Sequence, residues 1–341
     1  PGNTVGKGPK RKSNPYDTIL PANTTKHVIE AIKYVEKWFA GNPGVISGGS
    51  LYLPTDHAGA KKQFKRFLAE KLACFGPYQD ASRNDVIFGC HTVISPLLNV
   101  GLLTPQWVVN ELIAHWKSKS AVLRGTAKQK LLESVEALLR QIIGWREIVR
   151  LLYVEEYPTM VKSNFFKHTK KLPQEWYADP FKMAENSAKS KLHQITPVYD
   201  LLKKVWVVSY ANHIERLMYL GGFMLLCEFS PVTIHDWFMC MFIDSYQWVM
   251  AANVYAMSQY ATPILMTKPY FSSSNYIMKM SGVSAQPKTT QNKPSNDLNW
   301  QEIWNSLYYA FIAKHKVYFA KNYATARGVY HWNQKSQSEK N

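Results

Sequence analysis

Between Ala127 and Val154 the apolar residues Leu131, Val135, Leu138, Ile142, Trp145, Val149 and Leu152 recur at alternating spacings of 4 and 3. Only a helix gathers such positions on one face, because successive side chains of a strand alternate between two faces. The stripe lasts about six turns at 3.6 residues per turn, so the chain must supply further helices to cover it. It does. Thr25 can cap a helix to about Phe39, with Val28, Ile32, Val35 and Phe39 inward. Ala58 to Cys74 reads as a second helix with Phe64, Phe67, Leu68 and Leu72 inward, and Val198 to Tyr210 as another. Pro231 opens a helix to about Met250, and Trp300 to Phe319 reads as a closing helix. No βαβ alternation is present. The expected class is all-α, one large helical domain.

One further stretch is unusual. In Tyr210 to Leu226 the apolar Ile214, Leu217, Met218 and Leu225 share a helical face, opposite Asn212, His213 and Arg216. Gly221 and Gly222 interrupt it, and each costs about 1 kcal/mol relative to alanine inside a helix. Such a pair serves either a close helix crossing or a flat ligand approaching the backbone. Asp244, inside the apolar run WFMCMFIDSYQWVM, needs a partner if buried, since a lone buried carboxylate costs several kcal/mol.

The chain of 341 residues, 46% hydrophobic, can bury a full core. Its net charge of +17 attracts polyanions, so the expected partners are DNA or RNA, or a large protein or ribonucleoprotein assembly reached through basic surfaces. No apolar run approaches the roughly 18 residues of a transmembrane helix. Residues 1–22 read as a basic, poorly ordered arm, 23–335 as the helical domain, and 336–341 as a tail. Within the domain, 157–197 reads as a loop-rich insert and 281–299 as a polar linker. Cys74, Cys90, Cys227 and Cys240 form no C-x-x-C pair and read as free thiols of a reducing compartment, with no disulfide or metal site.

Tyr210 to Met218, taken with Phe242 to Ser281, resembles the flavin-binding helical domain of the photolyase/cryptochrome family, in particular its prokaryote-type branch that normally carries an iron-sulfur cluster. FGPYQDA (75–81), SPLLNVGLLTP (95–105), LLRQIIGWREIVR (138–150) and NSLYYAFIAKH (305–315) extend the likeness from about Thr25 to Trp332. The resemblance implies FAD as cofactor. It implies that Tyr78, His91, Thr92 and Ser95 hold the adenosine and diphosphate, with Ser95-Pro96 opening a helix whose free N–H groups favour phosphate. By the same likeness Arg140, Trp145 and Glu147 line the flavin or the substrate mouth, and Arg216 pairs with Asp244 beside the isoalloxazine ring. Gly222 and Asn253 also match cofactor-lining positions.

The departures from the family bear on activity. The α/β antenna domain of the relatives has no counterpart here, and is expected to be lost or to reside on another chain. The segment 281–299, which matches the cluster-binding region, contains no cysteine, so no iron-sulfur cluster is expected. The family's His-His pair reads Asn212-His213, and asparagine cannot donate a proton at neutral pH. The family's G-N-F reads Gly221-Gly222-Phe223, without the side chain that tunes the reduced flavin. The sequence therefore reads as a flavin-binding relative with little or no DNA repair activity. The alternatives are a structural subunit recruited into an organellar assembly, in a mitochondrial ribosome or respiratory complex, and an active photolyase completed by a separate chain. An organelle or the nucleus is the expected compartment.

Overall fold

The computed structural model describes residues 23–46, 51–82, 86–183, 191–281, 283 and 298–337, so the basic arm and nearly all of the polar linker lie outside the described residues. Among the described residues every regular element is helical, and strand pairing is limited to two isolated bridges, Asn23 with Leu51 and Lys170 with Phe229. The chain is all-α.

The amino-terminal half comprises α1 (Lys26–Trp38), α2 (His57–Glu70), α3 (Leu72–Tyr78), α4 (Ser95–Asn99), α5 (Pro105–Val122) and α6 (Gly125–Leu139). Side-chain caps explain two of the starts. Asp56 accepts the Gly59 amide at 2.7 Å, and Thr104 accepts the Trp107 amide with Pro105 in the first turn. The helix read over 58–74 is in fact two, because Lys71 leaves the helical region (φ −122°) and donates its ammonium to the Gly89 carbonyl at 3.0 Å. Phe64, Phe67, Leu68 and Leu72 are buried as expected. In α1 only Val28 is buried; Val35 and Phe39 are exposed, as are Ile29 and Trp38 on the same helix. Cys74 and Cys90 are joined in a disulfide, with Cα atoms 5.9 Å apart, while Cys227 and Cys240 are free. This corrects the reading of four free thiols. The first turn of α3 and the loop before α4 bring together two cysteines that no local spacing rule would pair.

The long stripe becomes one continuous helical run, α6, a π turn (Arg140–Trp145) and α7 (Arg146–Met160). Leu131, Val135, Leu138, Ile142 and Val149 are buried. Trp145, the last residue of the π turn, is exposed, although Ile142 in the same turn stays buried.

The carboxy-terminal half holds α8 (Pro180–Met183), α9 (Thr196–Val208), a π segment (Glu215–Gly221) continued by α10 (Gly222–Leu226), α11 (Pro231–Met241), and α12 (Gln247–Ala251) continued by a second π segment (Ala252–Ser258). Then follow α13 (Ser274–Ser281), α14 (Trp300–Lys314), α15 (Lys316–Lys321) and α16 (Tyr323–Asn333). The helix read from 231 to 250 breaks at Phe242, whose backbone is extended, so Asp244 sits on a turn between two helices. The closing helix also ends early, at His315, and Gly328 to Trp332 lies inside α16. A Cβ at Gly328 would sit 2.8 Å from Ile312 Cδ1, so glycine lets α16 lie close on α14.

Two apolar cores result. One, around Phe64, Leu72, Leu112 and Leu138, belongs to α2–α6; the other, around Tyr219, Trp237, Trp300 and Phe311, belongs to the later helices. A small group of Leu53, Phe88, Val93 and Tyr210 lies apart from both, drawn from the loops flanking α2 and α4 and from the end of α9.

Candidate functional site: a buried ion pair between the two halves

Arg216 projects from the first π segment and Asp244 from the turn after α11. Arg216 Nη2 donates to Asp244 Oδ2 at 3.1 Å, and Nη1 lies 2.8 Å from Oδ1, an ion-pair contact at both carboxylate oxygens in which only Oδ2 accepts a hydrogen bond. Both residues are buried, at 8% and 6% exposure. The guanidinium also donates through Nε to the Ala211 carbonyl at 2.7 Å and lies over the rings of Phe242 (4.1 Å) and Tyr210 (5.1 Å).

The amino-terminal half reaches into this pair. Ser95 Oγ donates to Asp244 Oδ2 at 2.6 Å, and Asn99 Nδ2 donates to the Asp244 backbone carbonyl at 2.8 Å. α4 thus clamps the acidic turn from 145 and more residues away. Burial, with Asp244 nearby adding to it, pushes the Tyr52 and Tyr210 phenols well above their ordinary values, so both are neutral hydroxyls.

A second buried pair lies one residue away. Lys204 Nζ is 2.7 Å from Glu215 Oε2, and Glu215 also accepts from Ser82 Oγ (2.9 Å) and from the Asn212 amide (2.8 Å). Asn212 is the point where the helix starts: its carbonyl takes the amides of Glu215 and Arg216, and Glu215 reaches back to its N–H, half of a capping box. Beside Lys204, Glu215 and Tyr219 is a cavity of about 10 Å³, the size of one water. Asn212 is buried, and its Oδ1 has no hydrogen-bond partner in the protein.

The sequence-assigned residues therefore divide. Arg216, Asp244 and Ser95 meet, with Asn212 at the same helix start. His91 is nearby in the same half as Ser95, its ring nitrogens facing the Gln79 and Phe88 carbonyls at 2.9 and 3.1 Å, and burial lowers its pKa. Tyr78 ends α3 and Thr92 lies in the loop before α4, both half-buried. Asn253 is in the second π segment, its amide donating to the Val249 carbonyl at 2.7 Å. His213 is exposed at the edge of the helix start. Arg140 and Glu147 are on the outside, paired within their own run to Glu136 and Arg150, and Trp145 is exposed beside them.

The Gly221-Gly222 pair resolves unequally. A Cβ at Gly221 would lie 2.6 Å from Ser258 Cβ, so this glycine permits the two π segments to cross; Gln259 Nε2 donates to its carbonyl at 3.0 Å. A Cβ at Gly222 would meet only ordinary contacts at 3.6 Å. Sequence reading missed Asn99, Lys204, Glu215, Ser82, Tyr52 and Phe242. The signal for Glu215 was available as N-H-I-E, an asparagine with an acid three residues on.

Comparisons with known proteins follow this geometry. The chain is 32% identical over 325 residues to a (6-4) photolyase of Agrobacterium fabrum, covering 94% of this chain and 58% of that protein. It is 40% identical over 96 residues to an uncharacterised protein of Acanthamoeba polyphaga mimivirus, and 34% identical over 116 residues to a second one, covering 69% and 82% of those proteins. A crystal structure of a bacterial class III photolyase from Agrobacterium tumefaciens matches with a TM-score of 0.40 at 18% identity, over 60% of this chain and 38% of that one. No family model matches. The chain spans 58% of the length of the Agrobacterium fabrum photolyase. With identity sustained along nearly all of its own residues, the chain belongs to the photolyase/cryptochrome family.

Proposed function

We propose that the chain is a flavin-binding domain of photolyase type that holds FAD next to the Arg216–Asp244 pair and performs little or no DNA repair. The observation that carries this reading is the pair itself: a buried ion-pair contact held in place by Ser95 and Asn99 of the other half. Replacing a buried ion pair by well-packed apolar residues is often neutral or stabilising, so a pair this well supported is better explained by a role beyond packing. The fit to a flavin is specific at one further atom. Asn212 Oδ1 is a buried acceptor without a partner, suited to a ring N–H.

A bound flavin would supply light absorption and electron transfer; the protein's part is placement. Arg216 and Asp244 offer a fixed cation and a fixed anion, Asn212 offers an acceptor, and neutral Tyr52 and Tyr210 keep further charge away. Repair is weakened at two positions. Asn212 stands where the family has a histidine able to move a proton, and Gly222 presents no polar side chain. The four cysteines are a disulfide pair, a half-buried thiol and an exposed one, and none lies in 281–299, which supports a domain without an iron-sulfur cluster.

A second reading, a structural subunit of a large assembly, draws on a different observation: the Arg216 guanidinium already lies against the Phe242 and Tyr210 rings, and the Ser95 hydroxyl is already engaged. Flavin extraction from purified native protein decides. The proposal expects FAD near one equivalent, loss of most of it in Asp244→Asn, and no light-dependent repair of damaged thymine DNA. A colourless native protein that elutes only within a large particle overturns it in favour of the second reading.

A further inference from the structure

Outside the Arg216–Asp244 pair, three metal-ligating side chains converge. His168 follows α7, Glu228 follows α10, and His315 is the junction between α14 and α15. One ligand atom from each lies within 4.8 Å of the other two. We infer that His168, Glu228 and His315 form a binding site for a divalent transition cation, zinc first, with the remaining position left to water.

Four features support this. First, His168 is 95% buried by its 5% exposure, and its Nε2 has no hydrogen-bond partner; His315 Nε2 is likewise buried and without one. Two adjacent imidazole nitrogens left unsatisfied in one pocket are costly unless something binds them. Second, the rings are held rigidly. Phe166 stacks on His168 at 5.6 Å and packs on His315 at 4.7 Å, and Phe311 lies 4.7 Å from His315. Asn164 fixes the His168 backbone on both sides, donating to its carbonyl at 2.8 Å and accepting its amide at 3.0 Å.

Third, the backbone is strained where the ligands are delivered. Glu228 has φ +61° and Lys167, next to His168, has φ +59°, left-handed conformations that non-glycine residues seldom adopt. Such strain gathers at ligand clamps. Fourth, the donor set is chemically apt. Two imidazoles and one carboxylate suit zinc and its neighbours. Lys314 Nζ contacts Glu228 Oε2 at 2.6 Å, orienting the carboxylate while its second oxygen can serve the ion. Ligands about 2.0–2.2 Å from a tetrahedral zinc stand roughly 3.4 Å apart, so an ion would draw atoms now within 4.8 Å of one another closer together. Glu228 and His315 are partly exposed, which gives the ion a way in.

The ion would pin together the segment after α7, the exit of α10 and the α14–α15 junction. The test uses the full chain after chelator dialysis. Zinc is titrated by calorimetry and cobalt(II) by its visible absorption bands. One equivalent of each is expected to bind, the thermal midpoint is expected to rise with zinc, and Glu228→Gln and His315→Gln are each expected to weaken binding at least tenfold and abolish the cobalt bands. Glu228→Gln keeps the surface position and shape, so it remains informative if His168→Ala does not fold. His235→Gln, at a half-buried histidine elsewhere, is expected to bind as the parent does. Absence of saturable binding, parental affinity in both ligand variants, or equal weakening in His235→Gln overturns the site.

Discussion

Asp244 shows how one residue can be legible in sequence and still be placed by tertiary structure. A carboxylate inside WFMCMFIDSYQWVM demands a partner, and family resemblance nominated Arg216 across 28 positions. The pairing is observed, but the supporting Ser95 and Asn99 contacts were not readable from the chain. Because removing one member strands a buried charge, Asp244→Ala is expected to cost about 3–5 kcal/mol in chemical denaturation, and Ser95→Ala, which removes a single hydrogen bond to a charged group, about 1.5–3 kcal/mol. The glycine pair gives a sharper contrast. Gly221→Ala forces a Cβ to 2.6 Å from Ser258 and is expected to destabilise by about 1–3 kcal/mol, whereas Gly222→Ala, with 3.6 Å contacts and better helix propensity, is expected to be neutral or stabilising by up to about 1 kcal/mol. Thermal midpoints of the two variants, measured side by side, check this; equal effects would refute the crossing explanation.

Helices were readable as elements, and their interruptions were not. Periodicity located the helix stripe of 131–152, most of which is buried, yet among the described residues three π segments occur, at 140–145, 215–221 and 252–258, and none leaves a mark in the apolar spacing. A π turn is stabilised by what packs against it, as Gln259 does by accepting the role of donor to the Gly221 carbonyl. The breaks at Lys71, Phe242 and His315 have the same origin, since each serves a contact with a distant element or a turn toward one. The disulfide between Cys74 and Cys90 also belongs to this scale, stapling α3 to the approach of α4. Thiol titration of the unfolded, unreduced chain is expected to find two reactive cysteines, rising to four after reduction. Cys74→Ser is expected to lower stability by about 3 kcal/mol, the chain-entropy value for a loop of this size.

Over the whole molecule the charge is positive and several histidines are held neutral. Burial lowers the pKa of His91 and His235 below the ordinary 6.5. In the unfolded chain these groups take up protons as pH falls through 6.5, while the folded chain resists, so the unfolded state binds more protons and stability rises with pH in that window. The stability they allow is therefore full above about pH 6.5 and declines as the solution is acidified below it. Urea midpoints at pH 7.5, 6.5 and 5.5 are expected to fall in that order, with a shallower fall in His235→Gln.

Local sequence alone determined that the chain is helical, where most helices run and which faces are apolar, because helix periodicity and capping are properties of neighbouring residues. Resemblance added the Arg216–Asp244 pairing. Only the tertiary structure decided where the helices break or widen, which cysteines join, that Lys204 reaches Glu215, and that His168, Glu228 and His315 share a pocket. Each of those depends on the relative placement of segments tens to hundreds of residues apart, and the pattern of apolar and polar residues within any one segment carries no record of it.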